Sequence, residues 1–132
     1  MMEKINIRTN KRNEIIDITK GIRTLVGNSG VENGICVVFC MHTTAGITIN
    51  ENHDPSVKSD ILFSLEKMSP IHKEFRHSEG NSDAHVKASL MGSSLNMIIS
   101  GGKLVLGQWQ GIFFCEFDGP RNREICVEFI SR

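Results

Sequence analysis

The sequence predicts one domain that mixes β-strands with short α-helices, an α+β pattern, and three observations predict it. The chain has 132 residues, enough for one ordinary core. Short apolar segments with strand-like alternation recur along it and are interrupted by stretches with helical spacing and helix start and stop residues. Its last third, from residue 94 onward, is a series of apolar runs divided by glycine-rich turns, which reads as an antiparallel meander. No internal repeat, linker or low-complexity stretch interrupts the pattern, so residues 1–132 are expected to form a single domain.

Residues 4–8 and 14–18 alternate apolar and polar side chains around a turn at 10–13, and predict a first hairpin. Ile18, Ile22, Leu25 and Val26 then recur at helical spacing; Asp17 or Thr19 can cap the start and Gly27 can stop it. The run 35–41 is apolar on both faces, as in a strand buried in the middle of a domain or in a subunit contact, and it delivers His42 to the strand's end. After a turn at 43–46, Ile47 and Ile49 alternate with Thr48 and Asn50 in a strand with one wet face. Asp54-Pro55 opens the next helix, because an Asp oxygen accepts from first-turn amides and proline fits the first helical position. Val57, Ile61, Leu62, Leu65 and Met68 form its apolar stripe, and Pro70 closes it. Residues 71–82 read as a polar loop, followed by a short helix over 84–91 that is capped by Ser82 or Asp83 and ends at Gly92. Strands are expected at 95–99, 104–106, 112–117 and 125–130, with Gly111 marking a bulge or a close backbone approach.

Fifteen basic and fifteen acidic side chains balance, which argues against a nucleic-acid surface, since phosphate binding needs a surplus of Lys and Arg. A neutral surface is tolerable in an oligomer that hides apolar area in its contacts. Residues 1–10 are polar and no apolar run approaches the roughly 20 residues of a membrane span, so a soluble, cytoplasmic protein is expected. The four cysteines lack metal-clip spacing and read as small buried hydrophobes kept reduced.

P-loop, GxGxxG, GxSxG and HExxH motifs do not occur. Polar density instead falls in three patches at the ends of expected elements: 42–44, 50–54 and 77–85. Imidazoles and carboxylates that converge from such positions suit divalent metal binding or acid–base work. His42 and His85 stand out, although His42 reads equally well as a structural histidine bonded at a strand end. His53, beside a helix cap, and His72, beside Lys73, read as solvated surface. The amides at either helix start could hold an anion, with Lys87 adding a point charge. Arg121 and Arg123 read as a solvated hairpin tip, with help in binding a phosphate the alternative, and Trp109 reads as core, with pocket lining by Trp109 and Gln110 the alternative.

Three stretches, HTTAGITINENHDP at 42–55, HSEGNSDAHVKASLMGSS at 77–94 and GKLVLGQWQGIFFCEFDGPRNR at 102–123, cover 54 of the chain's 132 residues. In this order they resemble the YjbQ family, small proteins described as secondary thiamine-phosphate synthases. The resemblance implies an α+β fold with a mixed or mostly antiparallel β-sheet sandwich and short helices, assembled as a homotrimer. It also implies condensation of a hydroxymethylpyrimidine diphosphate with a thiazole phosphate, giving thiamine phosphate and pyrophosphate. Carried onto this sequence, the catalytic residues are expected to be His42, Glu51, Asp54 and Glu79. Thr43, Asn52, Lys87, Trp109, Gln110 and Glu116 are expected to bind substrate, and His42, His77 and His85 to hold a divalent metal, zinc or magnesium. His53 stands where the family often has alanine and is left out. Two other readings stay open: a metal-dependent hydrolase of a small phosphorylated molecule, and a non-catalytic trimeric ligand-binding protein whose histidines stabilise subunit contacts.

Overall fold

The computed structural model describes residues 2–132. In chain order its elements are β1 (Met2–Arg8), β2 (Glu14–Asp17), α1 (Thr19–Ser29), β3 (Gly34–Cys40), β4 (Ala45–Glu51), α2 (Pro55–Met68), α3 (Ser82–Met91), β5 (Ser94–Ser100), β6 (Lys103–Leu104), β7 (Gln110–Glu116) and β8 (Asn122–Ser131). The strands form two antiparallel sheets, β1-β8-β3-β5-β6 and β2-β7-β4. Strand alternation decides what lies between them: Cys36, Val38, Met97, Ile99, Ile125 and Val127 from the larger sheet share a core with Ile47, Ile112 and Phe114 from the smaller one. Ile22 and Val26 of α1 join that core. The other face of the smaller sheet, with Ile15, Phe113 and Cys115, is covered by Leu65 of α2 and by Ala84 and Ala88 of α3.

The strand buried on both faces is therefore β7, whose Ile112, Phe113, Phe114 and Cys115 are all enclosed, and not β3. One face of β3 is buried within the chain; the other leaves Ile35, Phe39 and Met41 exposed, with Ile98 and Ile130 in register on either side of Ile35. The expected first hairpin does not form, because β1 pairs with β8 in one sheet and β2 with β7 in the other. The expected C-terminal meander is likewise interrupted: β5 and β6 are a hairpin, but β7 and β8 lie in different sheets. Between them Asp118-Gly119-Pro120-Arg121, with a cis Gly119–Pro120 bond, carries the chain from one layer to the other.

Local signals hold with small shifts. Asp17 accepts from the amide of Thr19 at 2.9 Å at the start of α1, while the helix runs past Gly27 and ends at Gly30, whose φ of 76° is the left-handed conformation glycine tolerates. Asp54 caps α2 by accepting from the Ser56 amide at 2.9 Å, with Pro55 in the first turn. Neither Ser82 nor Asp83 caps α3, whose N-cap position is Asn81 without a side-chain bond to the helix start. Gly111 marks a close approach and no bulge: the β4–β7 register runs unbroken past it, and a Cβ there would lie 2.4 Å from Nδ2 of Asn52. Cys36, Cys40 and Cys115 are buried and all four cysteines are free; burial pushes the Cys36 thiol up to about 11 and that of Cys115 up to about 12, which makes both inert. Among the described residues no helix is long and apolar enough to cross a membrane.

Candidate active site

β3 ends at Cys40, one residue short of continuing its ladder along β8, and the freed backbone of Glu124 is taken by a side chain. Nε2 of His42 lies 3.0 Å from the N–H of Glu124 and 3.1 Å from its carbonyl oxygen. Burial, then the neighbouring positive charge of Arg123, lower the imidazole's pKa and favour the neutral ring. The structural reading of His42 and the functional one are thus compatible, since Nε2 anchors the ring and, among the described residues, Nδ1 has no hydrogen-bond partner.

A second construction spans the two sheets. Arg123 points inward from β8 on the same face as Ile125 and Val127, and Glu116 inward from β7 on the same face as Ile112 and Phe114. Their side chains meet as a fork: Nε of Arg123 donates to Oε1 of Glu116 at 2.8 Å, and Nη2 donates to Oε2. Nη2 also donates to Oγ1 of Thr44 at 2.9 Å. Glu116, fully buried, accepts further from Oγ1 of Thr9 at 2.8 Å and from the Asp118 amide at 2.9 Å. Burial alone would raise its carboxyl, but these donors hold it below the usual carboxylate range. Glu116, expected to bind substrate, thus accepts on both carboxylate oxygens from within the protein and orients Arg123. Arg123 is only 6% exposed, and among the described residues its Nη1 has no hydrogen-bond partner.

A third construction sets the rotation of α3. Asp83 and Lys87, one turn apart, face inward: Arg12 forks onto Asp83 at 2.9 and 3.2 Å, and Nζ of Lys87 lies 2.6 Å from Glu66 and 3.6 Å from Asp83. Lys87, expected to bind substrate, is 1% exposed and its charge is spent on Glu66 of α2 and Asp83 of α3. Fixing residues 83 and 87 inward turns His85 outward, toward His42. The ring of His77, on the loop before α3, stands edge-on to His85 with centroids 5.3 Å apart, and Glu79 lies 3.9 Å from His77.

These groups line one cleft of about 400 Å³, in which His42, Thr43, His77, Glu79 and His85 meet Asn81, Asp118, Arg121 and Arg123. It adjoins a second hollow of about 490 Å³ that shares His42, Thr43 and His85 with it. Together they fall within the size range of small-molecule sites. Five of the expected site residues are therefore brought together. Glu51, Asn52, Asp54, Trp109 and Gln110 are not among them: they gather at the opposite end of β4, roughly 20 Å of strand away. Trp109 is half exposed there, with His53 tilted against it at 4.7 Å, and is neither core nor part of the cleft. Among the described residues no three His, Cys, Asp or Glu side chains are grouped closely enough to hold a metal ion.

The two arginines expected at a solvated tip or beside a phosphate divide: Arg121 is exposed and donates to Asp118 at 2.9 Å on the cleft wall, whereas Arg123 is buried. The signal that finds Arg123 is period two: it shares the inward parity of Ile125 and Val127.

Known proteins share this whole arrangement of strands. Residues 3–132 match the family described as UPF0047 protein YjbQ-like. A UPF0047 protein of Methanocaldococcus jannaschii is 56% identical, covering 99% of this chain and 95% of its own. YugU of Bacillus subtilis, also a UPF0047 protein, is 47% identical over 99% of this chain and all of its own. The crystal structure of an uncharacterized YjbQ/UPF0047 protein from Clostridium acetobutylicum superposes with a TM-score of 0.95 at 55% identity, over 97% of this chain and 99% of that one. A protein of unknown function from Sulfolobus solfataricus gives a TM-score of 0.95 at 36% identity, over 100% and 97%. Sequence and fold agree along the full length, and the chain belongs to the YjbQ (UPF0047) family.

Proposed function

We propose that this protein is an enzyme acting on a small phosphorylated molecule held in the His42 cleft. Its specific reaction is taken to be the thiamine-phosphate-synthase-like condensation. There the carbon–oxygen bond of a hydroxymethylpyrimidine diphosphate breaks, a carbon–nitrogen bond to a thiazole phosphate forms, and pyrophosphate leaves. The observation that supports the reading is Arg123: a guanidinium held rigid by Glu116 and Thr44, with Nη1 uncommitted beside three imidazoles. A preorganised donor of this kind suits charge that builds up on a departing phosphate oxygen. No proton needs to move in the bond-forming step, so the imidazoles would serve as hydrogen-bond donors to the leaving group.

Arg121 and Arg123 are each paired with a carboxylate, so further hydrogen-bond partners for a diphosphate would come from His77 and His85, and further positive charge from a divalent cation. Zinc or magnesium remains part of the proposal, and no step above runs through it. The homotrimer is proposed on the outer face of the larger sheet, where Ile35, Ile98, Ile130 and Phe39 are exposed and Met41 reaches the rim of the cleft. Ile35→Lys should then leave monomers by mass measurement, and an unchanged trimer would place the contact elsewhere.

The deciding assay mixes the two phosphorylated heterocycles with the protein, with and without magnesium or zinc, and follows thiamine phosphate and pyrophosphate together. Arg123→Lys keeps the charge but loses the fork, and should lower the rate about 100-fold. Hydrolysis of phosphate esters without condensation would replace this reaction with metal-assisted hydrolysis. Failure of both with an intact trimer would leave a ligand-binding protein.

A further inference from the structure

We infer that His42 meets its ligand through Nδ1 and can do so in either neutral tautomer, because Nε2 rests against both the N–H and the C=O of Glu124. The inference deepens the phosphate reading above and rests on it only for the identity of the ligand. In an antiparallel strand the N–H and C=O of one residue point to the same side, and at Glu124 that side is vacated by the end of β3. The two distances, 3.0 Å to nitrogen and 3.1 Å to oxygen, are nearly equal.

With the proton on Nδ1, Nε2 accepts from the Glu124 amide and Nδ1–H donates to a ligand oxygen. With the proton on Nε2, that nitrogen donates to the Glu124 carbonyl and Nδ1 accepts from a ligand hydroxyl, amine or water. Most buried histidines lose a hydrogen bond when the proton changes nitrogen, which locks one tautomer. Here Nε2 finds a Glu124 partner in either form, and the backbone group left unpaired is the C=O in one and the N–H in the other. The ring thus suits a site that must donate to a phosphate oxygen at one stage and accept from a donor at another. Thr43 and Arg123 flank the same cleft, so a phosphate oxygen bound there has His42 and Arg123 as neighbours.

The test is long-range proton–nitrogen NMR on the full chain with labelled histidine at neutral pH, free and with inorganic phosphate, beside two variants. In His42→Gln the amide takes the place of Nε2 and keeps the Glu124 contact; in His42→Asn it takes the place of Nδ1 and gives that contact up. Both tautomers should be populated in the free protein, and phosphate should drive the ring to Nδ1–H. His42→Gln should keep the parent's melting temperature and bind phosphate about tenfold more weakly. His42→Asn should melt lower and retain more of the phosphate affinity. One locked tautomer in the free protein, or phosphate binding by His42→Gln equal to the parent's, overturns the inference while the phosphate reading stands. Two tautomers in a protein that ignores phosphate uphold the seat of His42 and sink the phosphate reading.

Discussion

The two ends of β4 carry equally polar sequence, and they are built in opposite ways. At its start, Thr44 and His42 are fixed by partners far along the chain: Arg123 donates to Thr44, and the Glu124 backbone holds His42. Glu116 in the same network receives Thr9 and Arg123. At its far end the polar groups bond to their immediate neighbours. Asp54 accepts from Ser56, Asn50 from Glu51, and Gln110 from the amide of Gly107. Local bonds shape turns and caps, and any sequence with those residues can make them. A donor such as Arg123, held across two sheets with Nη1 unpaired among the described residues, is a costly arrangement for turn-making and the feature on which the anion proposal rests.

The comparison breaks first, if it breaks, at Arg123. Arg123→Met leaves the Glu116 carboxylate buried without its main partner and should cost about 3–5 kcal/mol of stability, read by chemical denaturation. Replacing both, as Glu116→Leu with Arg123→Met, should recover much of that loss while phosphate binding stays abolished. A loss under 1 kcal/mol, about what an exposed pair contributes, would mean that the fork does not bridge the sheets as described.

Next in size is Gly111→Ala at the far end. Its Cβ would crowd Nδ2, Cβ and Cγ of Asn52 at 2.4 to 2.7 Å, and overpacking of this kind costs about 1–3 kcal/mol. Phosphate binding in the cleft should be untouched. If it falls with Gly111→Ala, the two ends of β4 act as one site, for instance across a subunit contact, and the division drawn here is wrong. Asp54→Ala should follow with about 1 kcal/mol, the usual loss for a helix cap, again with the cleft unaffected.

What the sequence makes legible follows the same line. Every helix and strand was readable to within a few residues, because capping, turn and alternation signals are local: Asp54-Pro55 starts α2, and 125–130 alternates as β8 does. Sheet partners were not readable. Residues 4–8 and 14–18 look like the arms of a hairpin, and only the pairing of β1 with β8 and β2 with β7 separates them. The site divides accordingly. His42, His77 and His85 could be picked out as imidazoles at element ends, whereas the employment of Lys87 and Glu116 inside the protein depends on Glu66, Thr9 and Arg123, all from other segments. The apolar run 35–41 fits domain core and subunit contact alike, and the exposed isoleucine row of β3 answers to the second description only if a partner covers it.

The smallest effect separates His42 from an ordinary strand-end histidine by pH. Burial and Arg123 depress its pKa in the folded chain, whereas the unfolded chain keeps a value near 6.5. Between those values the unfolded state binds more protons, so the stability this group contributes is present above about pH 6.5 and declines as pH falls through the folded value. Glu116 and Asp83, also depressed in the folded state, keep their contributions until the carboxylate range is reached, which separates the two windows. Denaturation at pH 7.5 and 5.5 should therefore show a decline in the parent that is reduced in His42→Gln, whose amide keeps the Glu124 contact without taking up a proton. An equal decline in both proteins would assign it to other groups and would remove the electrostatic grounds for treating His42 as a neutral ring held in place beside Arg123.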